Sequence, residues 1–251
     1  MRIPLRSTVS FPCLSLPTLA AMGACYFGTA GTSPAVVAIT PIDDFNDGMI
    51  TIQTDGGIVS NSVNATVLGG VRMLTLEAES GAGIAAAFVN PMFAPPLGGA
   101  LNAINNIPAS VLTATYDAGG AGLNVDLMGT QAEPGFLAFE LNMLLLDLAN
   151  GSLETSVRVT DTDGDVDTES ILLTSDILSP ASILFGFQDF SSAINFDRID
   201  RIEVIFDTGG DRSVDYRVGS IEMIPGFIPE PGSALLALAG LGVLGARRKR
   251  D

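Results

Sequence analysis

The sequence predicts an all-β body over residues 39–224: a two-sheet antiparallel β-sandwich of jelly-roll type. The first observation is period-two alternation, rich in β-branched side chains and punctuated by Gly, Asp and Asn turns. The second is that nothing between Ile39 and Ile224 shows the apolar period of a helix. The third is strand number. About nine to eleven short strands are too many for one half-solvated sheet to bury, so two sheets must stack. No repeat of fixed period is present, which counts against a propeller or a β-helix.

In chain order, the first strand is expected at 49–54, after the acidic entry Asp43-Asp44-Phe45-Asn46-Asp47-Gly48. Residues 71–78 alternate, with Val71, Met73, Thr75 and Glu77 opposing Arg72, Leu74, Leu76 and Ala78. Residues 84–89 are apolar throughout, as in a strand covered on both faces. Residues 90–110 carry Pro91, Pro95, Pro96, Gly98, Gly99 and Pro108 and read as a long surface loop. Strands follow at 111–116, 123–127 and 136–146, the last placing Leu137, Phe139, Leu141, Met143 and Leu145 toward the core. After a turn at 147–151, Leu153, Thr155, Val157 and Val159 face inward along 153–160. A turn at 161–165 leads into a strand at 166–173. The last strands, 181–187, 199–206 and 214–224, turn Phe185, Val204 and Tyr216 inward. Gly219 marks a bulge that re-aims Ile221 and Met223.

Charge and composition exclude whole classes of function. The 251 residues carry a net charge of −16. Away from the two ends the basic residues are Arg72, Arg158, Arg198, Arg201, Arg212 and Arg217. Such a body repels nucleic acid and anionic lipid, but can meet divalent cations or neutral polymers. Histidine is absent, which removes the commonest general base and metal ligand. Both cysteines, Cys13 and Cys25, lie in the N-terminal segment, so the body has neither a thiol nucleophile nor a disulfide. A two-carboxylate glycosidase remains arithmetically open. No acidic residue sits in an aromatic setting suited to a sugar, however, so the expectation is a protein that is not an enzyme.

The two ends read as sorting segments. Residues 1–38 have the plan of a signal peptide: Arg2 and Arg6, then small and apolar residues, then Val36-Val37-Ala38 or Gly28-Thr29-Ala30 as a cleavage site. Residues 225–251 hold Pro229-Glu230-Pro231-Gly232, an uncharged run to Ala246, and Arg247-Arg248-Lys249-Arg250. As a helix at ~1.5 Å per residue the run reaches roughly 22 Å, against a hydrocarbon core of roughly 30 Å. Its leucines wrap all faces and its terminal cations can snorkel, so a single C-terminal transmembrane helix is expected. The cations stay cytoplasmic and everything upstream lies outside. This order of elements resembles the PEP-CTERM domain of exported bacterial proteins, which an exosortase processes. The resemblance implies that Pro229, Glu230 and Pro231 are the motif the exosortase reads, and that Arg247, Arg248, Lys249 and Arg250 are the membrane stop. It also implies passage through the export machinery, a stage anchored in the membrane, and delivery to the cell surface or extracellular matrix. The family's pairing with exopolysaccharide production makes that polymer a candidate partner.

The body carries a second resemblance. Phe187-Gln188-Asp189-Phe190, the run 196–207 and the run 215–221 resemble the C-terminal part of galactose-binding-like jelly rolls in secreted carbohydrate-binding modules. Such modules stack sugars on exposed Trp or Tyr; this chain has no Trp, and its tyrosines are Tyr26, Tyr116 and Tyr216. A structural or adhesive surface protein, binding protein partners or itself, is the alternative. One cluster could hold calcium: Asp161, Asp163, Asp165, Asp167 and Glu169 alternate along the chain, and calcium takes six to eight oxygens. EF-hand spacing is excluded, and a solvated β-hairpin accounts for the same residues. The jelly-roll resemblance further implies that Asp44 and Asp215 could share a structural calcium.

Overall fold

The computed structural model describes residues 40–80, 83–91, 99–106, 108–129 and 135–225. Among the described residues thirteen strands form in order: β1 Thr40–Asp43, β2 Ile50–Thr54, β3 Gly57–Asn64, β4 Val71–Ala78, β5 Ile84–Asn90, β6 Ala100–Asn106, β7 Ser110–Tyr116, β8 Phe136–Asp147, β9 Leu153–Asp161, β10 Val166–Leu173, β11 Ala181–Gly186, β12 Ile199–Asp207 and β13 Asp215–Pro225. One sheet has seven strands, ordered β11-β8-β13-β6-β5-β2 with β1 also paired to β13. The other has six, ordered β10-β9-β12-β7-β4-β3. Every pairing is antiparallel. The chain passes back and forth between the sheets, as in a jelly roll, and the result is a two-sheet antiparallel sandwich.

The core lies where the alternating inner faces meet. Leu74, Leu76, Val157, Val159, Ile202, Val204 and Phe206 from the six-stranded sheet are buried against Phe139, Leu141, Tyr216 and Val218 from the other. Phe187 and Phe196 stack with ring centroids 4.3 Å apart, and Phe139 tilts against Phe187 at 4.8 Å. Phe206 and Tyr216 stack at 4.9 Å, joining β12 to β13.

Four departures from the sequence reading have physical causes. The expected loop at 90–110 contains β6, whose Asn102, Asn105 and Asn106 disguise a strand because Asn is disfavoured there. Asn105 is tolerated because its side chain donates to the Val214 carbonyl (2.8 Å) and accepts from Ser110 (2.8 Å). β3, with its Gly, Ser and Asn residues, carries no strong apolar run and is held by continuous pairing with β4. Residues 123–127 form no strand; Val125 makes a single bridge to Ile199. β5 is not covered on both faces: Ala85, Ala87 and Val89 are buried while Ile84 is exposed.

The long strand β8 shows what a bulge does to a face. Leu145 pairs with Arg217 and Met143 with Val218, so Leu144 is skipped; on β13 Gly219 is skipped between Val218 and Ser220. Phe139, Leu141 and Met143 face inward, but beyond the irregularity Leu146 is the buried residue and Leu145 is only half-buried. Leu137, near the strand's start, is also exposed. On β13 the buried set changes from Tyr216 and Val218 to Ile221 and Met223, the re-aiming expected of Gly219. A Cβ at position 219 would press on the Leu144 side chain at about 3.0 Å.

A buried ion pair ties the sheets together. Arg72 of β4 and Asp43 of β1 are both fully buried, joined by two hydrogen bonds of 2.5 Å. Arg72 also donates to the carbonyls of Asp47 (3.0 Å) and Gly48 (2.8 Å), and lies over the Phe45 ring. Asp43 accepts in addition from the Phe45 N–H and the Tyr116 hydroxyl, each at 2.8 Å. Burial pushes the Asp43 carboxyl above its ordinary range, against the pull of Arg72, the Phe45 N–H and Tyr116. Burial alone would lower the Arg72 guanidinium, but the hydrogen bonds and charge of Asp43 outweigh this and raise it above its ordinary value. Burial, reinforced by the Asp43 charge, raises the Tyr116 phenol well above its usual value.

Candidate functional site

Around β5 and β6 the seven-stranded sheet differs from the rest of this acidic chain, although β8 and β13 of the same sheet carry Glu140, Arg217 and Glu222. Between Ser80 and Tyr116, which includes β5, β6 and β7, no residue is charged. Alternation turns Ala85, Ala87, Val89, Leu101 and Ala103 into the core and leaves their neighbours facing out. Register then aligns one outward row. Thr51 pairs with Phe88, Phe88 with Asn102, Asn102 with Arg217, and Arg217 with Leu145. Four strand spacings of about 4.8 Å make the row roughly 19 Å long. Arg217 Nε donates to Asn102 Oδ1 at 2.8 Å, and Asn102 Nδ2 donates to the Ala100 carbonyl at 3.2 Å. Asn102 is thereby buried beneath the guanidinium while Phe88 stays half-exposed. A second row sets Gln53, Ala86 and Ile104 side by side.

This arrangement suits a neutral polar polymer. An aromatic face can stack on apolar C–H surface while a hydroxyl and a guanidinium on the same line fix orientation, the buried Asn102 amide holding the guanidinium in place. Low local charge spares such a ligand any counter-charge. Sequence reasoning missed Phe88 because its strand was expected to be covered on both faces and the next strand was expected to be loop. The charge-free run from Ser80 to Tyr116, in a chain with 28 acidic residues, is the signal that could have found it.

The acidic turn is built around its first carboxylate. Asp161, almost fully buried, accepts N–H groups from Asp163 (2.9 Å), Asp165 (3.0 Å) and Asn195 (3.0 Å). Burial works to raise its carboxyl, but these bonds and the Gly164 N–H win and hold it below the usual value. Asp163 pairs with Arg198 at 2.8 Å, Asp167 accepts from the Ser191 N–H at 2.5 Å, Asp165 is exposed, and Glu169 sits opposite Val157 on β10. Among the described residues no three acidic side chains are grouped as metal ligands. Asp44 and Asp215 are not brought together either. Asp43 pairs with Ile221, and from there β13 runs roughly 20 Å back to Asp215 at about 3.3 Å per residue. Asp44 holds both the backbone and side-chain nitrogens of Asn46, and Asp215 accepts from the Asn105 N–H. An open cleft of about 230 Å³ elsewhere is rimmed by Glu77, Glu79, Ser110 and Asp207.

The sorting residues Pro229, Glu230, Pro231, Arg247, Arg248, Lys249 and Arg250, and the expected signal peptide at 1–38, lie outside the described residues. Among the described residues no helix is long and apolar enough to cross a membrane. β13 ends at Pro225, and residues 227–250 match the PEP-CTERM protein-sorting motif. This chain carries a PEP-CTERM motif. The motif marks it as an exported protein directed to an exosortase. No curated protein matches the chain.

Solved structures resemble the body more distantly. The family 11 carbohydrate-binding module of the cellulosomal cellulase Lic26A-Cel5E of Clostridium thermocellum is 12% identical, with a TM-score of 0.37, over 78% of this chain and 99% of that one. A xylan-binding domain from CBM 22 is 13% identical, with a TM-score of 0.36, over 61% of this chain and 88% of that one. The agarase AgWH50C is 9% identical, with a TM-score of 0.40, over 74% of this chain and 26% of that one. A likeness at this level carries nothing over from those proteins to this one.

Proposed function

We propose that this is an exosortase-processed surface protein, anchored outside the cytoplasm before processing, whose sandwich binds exopolysaccharide without catalysis. The observation that carries the reading is the PEP-CTERM motif that begins just beyond the last strand of the body. The row of Thr51, Phe88, Asn102 and Arg217, whose one charge is the guanidinium, supports a polymer ligand, because an open sheet face can follow an extended chain that a closed pocket could not. Co-sedimentation of the purified chain with exopolysaccharide from the producing cell tests the binding. Pelleting that saturates with polymer, with no new reducing ends, is the expected result. Absence of pelleting at every polymer concentration would leave a structural or adhesive surface protein. Mass spectrometry of the mature protein tests the processing, which requires that the residues after Ala246 be gone.

A further inference from the structure

Among the described residues five strands pair on one side only, and four of them carry a feature that discourages pairing; β1 is four residues long and holds Pro41 and Asp43. β10 bears Asp167 and Glu169, β11 is short and entered through Pro180, and β2 spans only Ile50–Thr54. β3 has none of these. Its eight residues, Gly57–Asn64, contain no proline and no charge. They pair with β4 in unbroken register, so no bulge twists the edge away. Among the described residues β4 is the only strand that pairs with β3. The whole run 56–71 is uncharged. Its side chains also suit contact, with Ile58 68% exposed and Val59 and Val63 half-buried.

We infer that β3 is the surface through which two copies of this chain pair edge to edge about a two-fold axis. The occupant follows from charge. Each copy carries −16, so most self-contacts would set carboxylate against carboxylate, whereas β3 against β3 brings none together. Antiparallel self-pairing also keeps like faces together. With Asn61 on the axis, Val59 meets Val63 on the inner side and Ser60 meets Ser62 on the outer side. The two six-stranded sheets then continue as one. A shared sorting motif places the copies on one surface and raises their effective concentration.

The test uses the full-length chain in detergent, with mass followed by light scattering across concentration. The wild type is expected to pass from monomer to dimer, with exchange of the β3 amides slowing as it does. Asn61→Glu and Asn61→Lys, both at an exposed position, each place like charges on the axis and should weaken association roughly tenfold or more. An equimolar mixture of the two should recover the dimer, while unchanged melting curves show that both variants fold. A wild type that stays monomeric at every concentration overturns the proposal and leaves the edge to a strand from another protein. Variants that dimerise as tightly as the wild type also overturn it, assigning the contact elsewhere.

Discussion

Replacing Arg72 by methionine keeps the apolar stem and removes the guanidinium, which isolates the worth of the buried ion pair. Both charged groups are fully buried, so the loss cannot be made good by water. Asp43 would keep the Phe45 N–H and the Tyr116 hydroxyl but lose its counter-charge, and the Asp47 and Gly48 carbonyls would lose a donor. Breaking a buried pair from one side costs about 3–5 kcal/mol. That is a large share of the ~5–15 kcal/mol available to a domain. Asn at position 43 still accepts from Phe45 and carries no charge, so the double variant Asp43→Asn/Arg72→Met should be less damaged than the two single effects summed. The sign of the pH dependence is fixed as well. Burial already raises the Asp43 carboxyl, and loss of Arg72 raises it further. A group raised on folding favours the folded state at low pH, so the deficit of Arg72→Met should be largest at neutral pH and shrink on acidification. Urea unfolding followed by far-UV circular dichroism measures each quantity. A cost below about 1 kcal/mol, or a deficit that grows as pH falls, would refute the reasoning.

Phe88→Ala should weaken exopolysaccharide binding about tenfold with little change in melting temperature, as measured by co-sedimentation isotherms; unchanged affinity would remove the outer face from consideration. Asp161→Asn should lower the melting temperature at neutral pH and flatten its fall as pH drops below 3.8. The sign follows because the wild-type carboxyl is depressed on folding and its stabilisation is lost as it protonates. Calcium chelation should leave the melting curve unchanged, since Asp161, Asp163 and Asp167 are already engaged by backbone N–H groups and Arg198. A downward shift with chelator would place a cation there.

Legibility in the sequence tracked the strength of alternation. β9 and β12 were readable because Leu153, Thr155, Val157 and Val159, and then Ile202, Val204 and Phe206, recur every second residue and point into one core. β3 and β6 were not, because Ser, Asn and Gly encode turns as readily as strands, and cross-strand hydrogen bonds decided the matter. The period of β4 placed Arg72 on the face of Leu74, Leu76 and Ala78, and the structure buries it there with its counter-ion. The partner was hidden because Asp43 sits in a run that also spells a solvated turn. The outward row needed the register of five strands, which no local pattern contains.

β13 gives the sandwich a mechanical polarity. It lies inside its sheet, held by β8 along one side and by β6 and β1 along the other. Tension on the segment beyond Pro225 therefore enters along a central strand and loads its flanking hydrogen bonds in shear, many at once. An edge strand under the same pull would peel one bond at a time. Thr40 pairs with Met223, so the two ends of the body leave from the same pole. An anchor beyond Pro225 would suspend the domain from that pole like a bell from its yoke. The turns around Asp147, Thr208 and Asp215 would then form the rim at the opposite end.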